Sequence, residues 1–226
     1  MLNYIWLNDS DPILVQLKEK YQSVIIVANP FIQMPSNWTE SKRTSPYECI
    51  YPSDEDVFYH GKPKKWSELL KLVGFDDFGE MALALKTCIS ALNKQYSRED
   101  LADKLISSMT DDLYFPNEDQ ISQFIFNDIK QIFKSIGVES IQYSDPINDI
   151  NGELELSNCT PLDICNLAPK EIIIADKLQR ISFMSVYDSF ITLMCTNLHN
   201  PFEIVEQMGW DAVICSQDTK INWYLT

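Results

Sequence analysis

The chain has 226 residues and a formal net charge of −15, from 18 Lys+Arg against 33 Asp+Glu, with 45% hydrophobic and 12% aromatic residues. That apolar content excludes disorder, which needs low hydrophobicity alongside high charge. The acidic balance disfavours nucleic acid and anionic membrane surfaces as partners and favours a cationic protein. The excess is uneven: residues 1–110 carry 12 basic and 15 acidic side chains, residues 111–226 carry 6 and 18.

Residues 2–7 alternate and predict a short strand. Ser10-Asp11-Pro12 offers a helix start, with Ile13, Leu14 and Leu17 as its apolar side. Val24–Ala28 follows as a buried strand, far shorter than the ~20 residues that span a bilayer, and completes a β-α-β opening. The start of the chain has no basic region and no small-residue cleavage site, so no secretory signal is expected.

Residues 29–65 are punctuated by prolines, carry dispersed aromatics and read as a long irregular loop. Helices are expected at 66–73, closed by Gly74, at 77–93, and from the Ser97-Arg98-Glu99-Asp100 start to about Met109. A fourth starts at Pro116-Asn117-Glu118-Asp119, with Ile121, Phe124, Ile125, Ile129, Ile132, Phe133 and Ile136 at helical spacing and Gly137 as its C-cap.

Beyond Gly137 strands predominate, at 138–143, 153–156, 171–175, 181–187, 190–195, 212–215 and 221–225. A helix at 201–208 interrupts them, and a single helical turn is expected within 157–170. The fold class is α+β: a short β-α-β opening, a helical middle and a largely antiparallel C-terminal sheet. A single domain over 1–226 is expected. If it subdivides, Gly137 is the boundary, between a mainly helical 1–137 and a mainly strand 138–226.

None of the six glycines falls into a phosphate-cradling pattern, and no HExxH, GxSxG or EF-hand loop occurs. Six scattered cysteines without a CxxC read as reduced core thiols of a cytoplasmic protein. Cys195 and His199 lie four residues apart on different expected elements, which gives no reason to pair them. Asp54 and Asp56, followed by His60, are the candidate metal ligands, since carboxylates with an imidazole suit a divalent ion. The bland alternative is that Ser53-Asp54-Glu55-Asp56 opens a helix, where acids are favourable. Trp38, Tyr51, Asp188, Trp210 and Trp223 are the candidate binding residues. No catalytic residue and no cofactor are assigned.

The stretches Pro30-Phe31-Ile32-Gln33-Met34-Pro35 and Tyr51-Pro52-Ser53-Asp54-Glu55 resemble signature stretches of an uncharacterised bacterial family, and that resemblance runs from end to end. The last fifth, from Phe183–Phe190 through Trp210–Cys215 to Asn222–Leu225, resembles the ending of small bacterial α+β immunity proteins. This second resemblance implies a non-enzymatic protein that binds a basic partner. Two other readings stay open: an enzyme with a site in the loop 29–65, and a domain sensing a small apolar ligand.

Overall fold

In the computed structural model, which describes residues 2–45, 47–168 and 170–225, Pro12 (φ −59°) starts helix α1 (Ile13–Leu17). Ile13 and Leu17 are its buried residues. Val24–Val27, buried on both sides, form the centre of strand β1 (Ser23–Ala28). Residues 2–7 join no ladder, contrary to the expected strand. The Tyr4 hydroxyl donates to the Ser185 carbonyl at 2.7 Å, so a side chain anchors this stretch in place of backbone pairing. Pro46 and Pro169, which punctuate two irregular stretches, lie outside the described residues.

The segment expected to be irregular contains β2 (Phe31–Gln33), α2 (Trp38–Lys42), α3 (Asp54–His60) and β3 (Lys62–Lys64). Strands of three residues are too short for alternation to register in sequence. Helices α4 (Trp66–Val73), α5 (Phe78–Cys88) and α6 (Glu99–Ser108) follow, then β4 (Leu113–Tyr114). A small antiparallel sheet has the order β3-β2-β4. Gly74 takes φ +75°, the left-handed conformation that ends α4.

Helix α7 (Gln123–Ser135) begins later than its Pro116 signal, at Ser122, whose hydroxyl accepts the Phe124 N–H at 3.4 Å. The acidic residues before it are spent otherwise: Asp119 sits at φ 60° and donates its N–H to the Ser189 carbonyl. Then come β5 (Ser140–Asp145), β6 (Ile150–Glu155), α8 (Pro161–Leu167), β7 (Ile173–Ala175), β8 (Ile181–Ser185), β9 (Ile191–Thr196), α9 (Pro201–Met208) and β10 (Ala212–Ile214). Residues 223–225 form a 3-10 turn where the sequence suggests a strand.

The fold is therefore α+β. Its main sheet has seven antiparallel strands in the order β10-β1-β9-β8-β7-β5-β6. Alternate residues of its central strands (Ile25, Val27, Ile141, Ile174, Phe183, Met194) pack with Ile125, Phe126, Ile129, Ile132 and Phe133 of α7. Phe183 meets Phe133 and Trp210 edge-on, with ring centroids 5.7 Å and 6.3 Å away.

The chain forms two units. The larger runs to Asn29 and resumes over Glu118–Tyr224; the smaller is Pro30–Asn117. Gly137 lies inside the larger unit, between α7 and β5. The larger unit carries 8 Lys+Arg against 19 Asp+Glu, the smaller 10 against 14.

Asn29, fully buried, is where the chain leaves the larger unit. Its N–H donates to the Phe190 carbonyl (3.0 Å), its amide nitrogen to the Gln120 carbonyl (2.9 Å), and its amide oxygen accepts from the Thr192 hydroxyl (2.8 Å). Asn29→Ala strips Thr192 and Gln120 of these partners and is expected to cost about 2–3 kcal/mol. Urea unfolding followed by circular dichroism measures this; a change below about 0.5 kcal/mol would contradict it.

Candidate functional site

Three carboxylates converge in the larger unit. Glu118 and Asp119 precede α7, and Asp188 lies in the β8–β9 turn, 69 positions beyond Asp119. The Asp119 N–H bond to the Ser189 carbonyl, 2.9 Å, ties the two segments. Asp119 and Asp188 both have positive φ, 60° and 48°, a conformation Asp tolerates better than most residues. One oxygen from each of Glu118, Asp119 and Asp188 lies within 4.8 Å of the others.

Burial differs sharply among them. Glu118 is exposed, Asp188 half-buried, and Asp119 only 2% exposed. Asp119 Oδ2 accepts from Lys170 Nζ at 3.2 Å, while its Oδ1 is buried with no hydrogen-bond partner. Glu171, 3% exposed, likewise has a buried Oε2 without a partner. The Asp119 hydrogen bond and charge hold the Lys170 ammonium above its ordinary pKa, with Glu118 and Glu171 adding to the effect. The Tyr4 phenol is raised first by burial and then by the charges of Glu171 and Asp119. The cluster thus offers hard oxygen ligands beside a single lysine.

A second acidic feature lies at one edge of the main sheet. β6 is the outermost strand there, with Glu153 and Glu155 exposed. Glu139, Glu155, Lys134, Val138 and Leu156 line an open cleft of about 450 Å³. Glu153 bonds to Lys177 (2.7 Å) and Ser140 (2.5 Å), which hold its carboxyl below the usual range. Tyr143 covers Gly152 so closely that a Cβ there would meet the ring at 2.5 Å.

The residues singled out in the sequence scatter. Asp54 and Asp56 sit in the first turn of α3 and His60 at its last position, about 9 Å along the axis from Asp54 and about 6 Å from Asp56. Ser53 caps that helix: its hydroxyl accepts the Asp56 N–H (3.1 Å) and donates to Asp56 Oδ2 (2.8 Å). That hydroxyl bond leads the causes lowering the Asp56 carboxyl, and burial raises that of Asp54. Trp38 is buried and edge-on to Tyr114, which the exposed Tyr51 also approaches. Trp210 packs half-buried against the core, and its indole N–H donates to Asp128 at 2.8 Å. Trp223 lies in the terminal 3-10 turn against Tyr224. Only Asp188 joins the carboxylate cluster.

Glu118 and Asp119 read in the sequence as the acidic first turn of a helix, and Tyr4, Lys170 and Glu171 as ordinary surface or strand residues. Nothing local to any of these segments pairs it with the others. Of the six cysteines, all free, Cys159, Cys195 and Cys215 are buried, as core thiols should be, while Cys49 is exposed. Among the described residues no helix is long and apolar enough to cross a membrane.

The chain belongs to the family described as "Protein of unknown function (DUF2711)", whose model matches residues 9–225. It is similar to "Uncharacterized protein YwbB" of Bacillus subtilis (strain 168), 40% identical over 224 residues, covering 99% of this chain and 100% of that protein. Membership of an uncharacterised family along the whole chain is what the two signature stretches imply. No solved structure matches the chain.

Burial lifts the phenols of Tyr4, Tyr21 (to about 12) and Tyr224 above the ordinary value of 10.0. A phenol whose folded pKa exceeds its unfolded one adds stability that is complete below about pH 10 and lost as pH rises through the folded value. Ultraviolet titration is expected to show these three ionising only as the protein unfolds in alkali, and Tyr4→Phe to shrink that late phase. Full ionisation of all tyrosines near pH 10 with circular dichroism unchanged would contradict this.

Proposed function

We propose that the protein is a non-enzymatic, cytoplasmic binding protein that engages a basic protein through the acidic surface of its larger unit. The observation behind this reading is the charge partition, 19 acidic against 8 basic residues in that unit. Charge of one sign speeds encounter and suppresses wrong partners more than it adds affinity.

The β6 edge is the preferred contact. An outer strand presents unpaired backbone groups to any incoming chain. A basic extended segment can pair with that backbone and meet Glu139, Glu153 and Glu155 alongside it. Glu153 already holds Lys177, so a partner's Lys or Arg must compete there, whereas Glu155 and Glu139 face the open cleft. The resemblance of the last fifth to immunity proteins points the same way, towards a basic toxin as the partner class.

A panel of basic nucleases, with an acidic protein as control, tests this by surface plasmon resonance. One nuclease is expected to bind saturably at about 20 mM salt and at least tenfold more weakly at about 300 mM, because exposed charges are screened. The triple variant E139Q/E153Q/E155Q should slow association by about tenfold or more while leaving the fold intact. Absence of binding across the panel at low salt would count against the proposal, as would binding that the triple variant retains.

A further inference from the structure

We propose that Glu118, Asp119 and Asp188 form a binding site for a divalent cation of calcium size. This inference is independent of the basic-partner reading and rests on other residues.

Three observations carry it. The first is convergence: oxygens no more than 4.8 Å apart all fit within about 2.8 Å of a common point. Calcium–oxygen distances are about 2.3–2.6 Å, so a small contraction makes all three oxygens ligands, whereas magnesium, at about 2.0–2.1 Å, demands a larger collapse.

The second is the orphan atom. Asp119, 2% exposed and itself a member of the triad, buries Oδ1 with no hydrogen-bond partner. A buried carboxylate oxygen left unsatisfied costs stability, and a coordinated cation would satisfy it. The third is the charge balance. Three carboxylates, Glu118, Asp119 and Asp188, converge, and the cation bonded to them is Lys170, on Asp119 Oδ2. It is half exposed and bonds the other oxygen of Asp119.

Lys170 follows as the built-in competitor. Its ammonium places one positive charge where the ion would place two. The ion's two charges would repel the nearby ammonium and weaken the Lys170–Asp119 pair, and the lysine, already facing solvent, can swing away at little cost. The exposed Glu118 and the half-buried Asp188 leave the triad open on the solvent side, and water would complete the coordination shell.

The test uses the full chain, stripped with a chelator, without any partner protein. Calcium chloride is titrated calorimetrically, with magnesium chloride as a second arm. Terbium luminescence excited through tyrosine is the proximity readout, since Tyr187 adjoins Asp188. One saturable calcium site is expected, with a higher melting temperature at saturation. Asp188→Asn and Glu118→Gln, at exposed or half-buried positions, should each weaken calcium at least tenfold while circular dichroism stays unchanged. Lys170→Met should tighten it severalfold, an outcome a purely structural Lys170–Asp119 pair would not give. No saturable binding up to about 10 mM calcium would overturn the proposal, as would calcium binding that both carboxylate variants retain. Magnesium binding tighter than calcium would overturn the assignment of size.

Discussion

The organisation of this molecule turns on Asn29. The chain leaves the larger unit there and returns at Glu118, so β1 and α7 can share a core only if the ends of the 88-residue excursion stay together. For a flexible loop of that length, closure alone costs about 4 kcal/mol. Two features offset it. The excursion folds on itself, with α4, α5 and α6 burying Trp66, Leu69, Met81, Leu85, Leu101 and Leu105. And Asn29 uses its backbone N–H, side-chain nitrogen and side-chain oxygen to hold Phe190, Gln120 and Thr192. The same clamp positions the carboxylate cluster. Fixing Gln120 fixes Asp119 and Glu118 just before it, and fixing Phe190 fixes Ser189 and Asp188. The sharing of the cluster between two distant segments is thus a consequence of how the excursion is closed.

The acidic excess of the larger unit divides into two populations with different work. Some of its acids are consumed by the fold. Asp176, 1% exposed, accepts from the N–H groups of Arg180 and Ile181 and from the Arg180 guanidinium, which builds the β7–β8 turn. Asp145 does the same for the turn after β5 through Ile147 and Asn148, and Asp163 closes a capping box with Thr160 at the start of α8. Asp128 receives the Trp210 indole and so anchors a ring that packs against Phe183. Carboxylates engaged in this way contribute to the unit's field but are not available to a partner. The second population, Glu139, Glu153 and Glu155, stands exposed beside the outer strand β6, where charge also discourages pairing with another sheet edge. Net charge alone would overstate the acidic surface open to a partner; the proposed contact rests on this subset.

What the sequence revealed follows the range of the interactions concerned. α4 and α9 occupy the residues their patterns predict, and α6 lies close to its own, because helical periodicity and capping act within a few residues. The acids of Ser53–Asp56 do open a helix, with the Ser53 hydroxyl and Asp56 carboxylate locked together. The antiparallel C-terminal sheet is legible as short apolar runs separated by turn residues, but its completion is not. β1 lies between β10 and β9, and no local pattern announces that a strand near the N-terminus joins strands near the C-terminus. The start of α7 illustrates a tertiary override. Pro116-Asn117-Glu118-Asp119 satisfies the rules for a helix start, yet Asp119 gives its N–H to Ser189, and the helix waits for Ser122. The strand expected at residues 2–7 fails similarly, since the pull of Ser185 on the Tyr4 hydroxyl is invisible in an alternating hexapeptide. The cluster was illegible for the same reason: only Asp188 of its three acids stood out, and its partners lie 69 and 70 positions away.

The two acidic features act over different ranges. Charges on the β6 edge influence a partner only within a Debye length, about 8 Å at physiological salt, and exposed pairs formed there contribute little each. In the proposed encounter they would act on approach and orientation. An ion at the proposed triad would be met at bonding distance, beside a buried oxygen, where screening by salt is weak and an unsatisfied atom is costly. Raising the salt concentration should therefore weaken the edge first. The backbone bond from Asp119 to Ser189 joins the cluster to the β8–β9 turn, and the next residue, Phe190, supplies the carbonyl that holds Asn29. An ion at the triad would consequently stabilise the joint at which the excursion is closed, which links the occupancy of this cluster to the integrity of the larger unit as a whole.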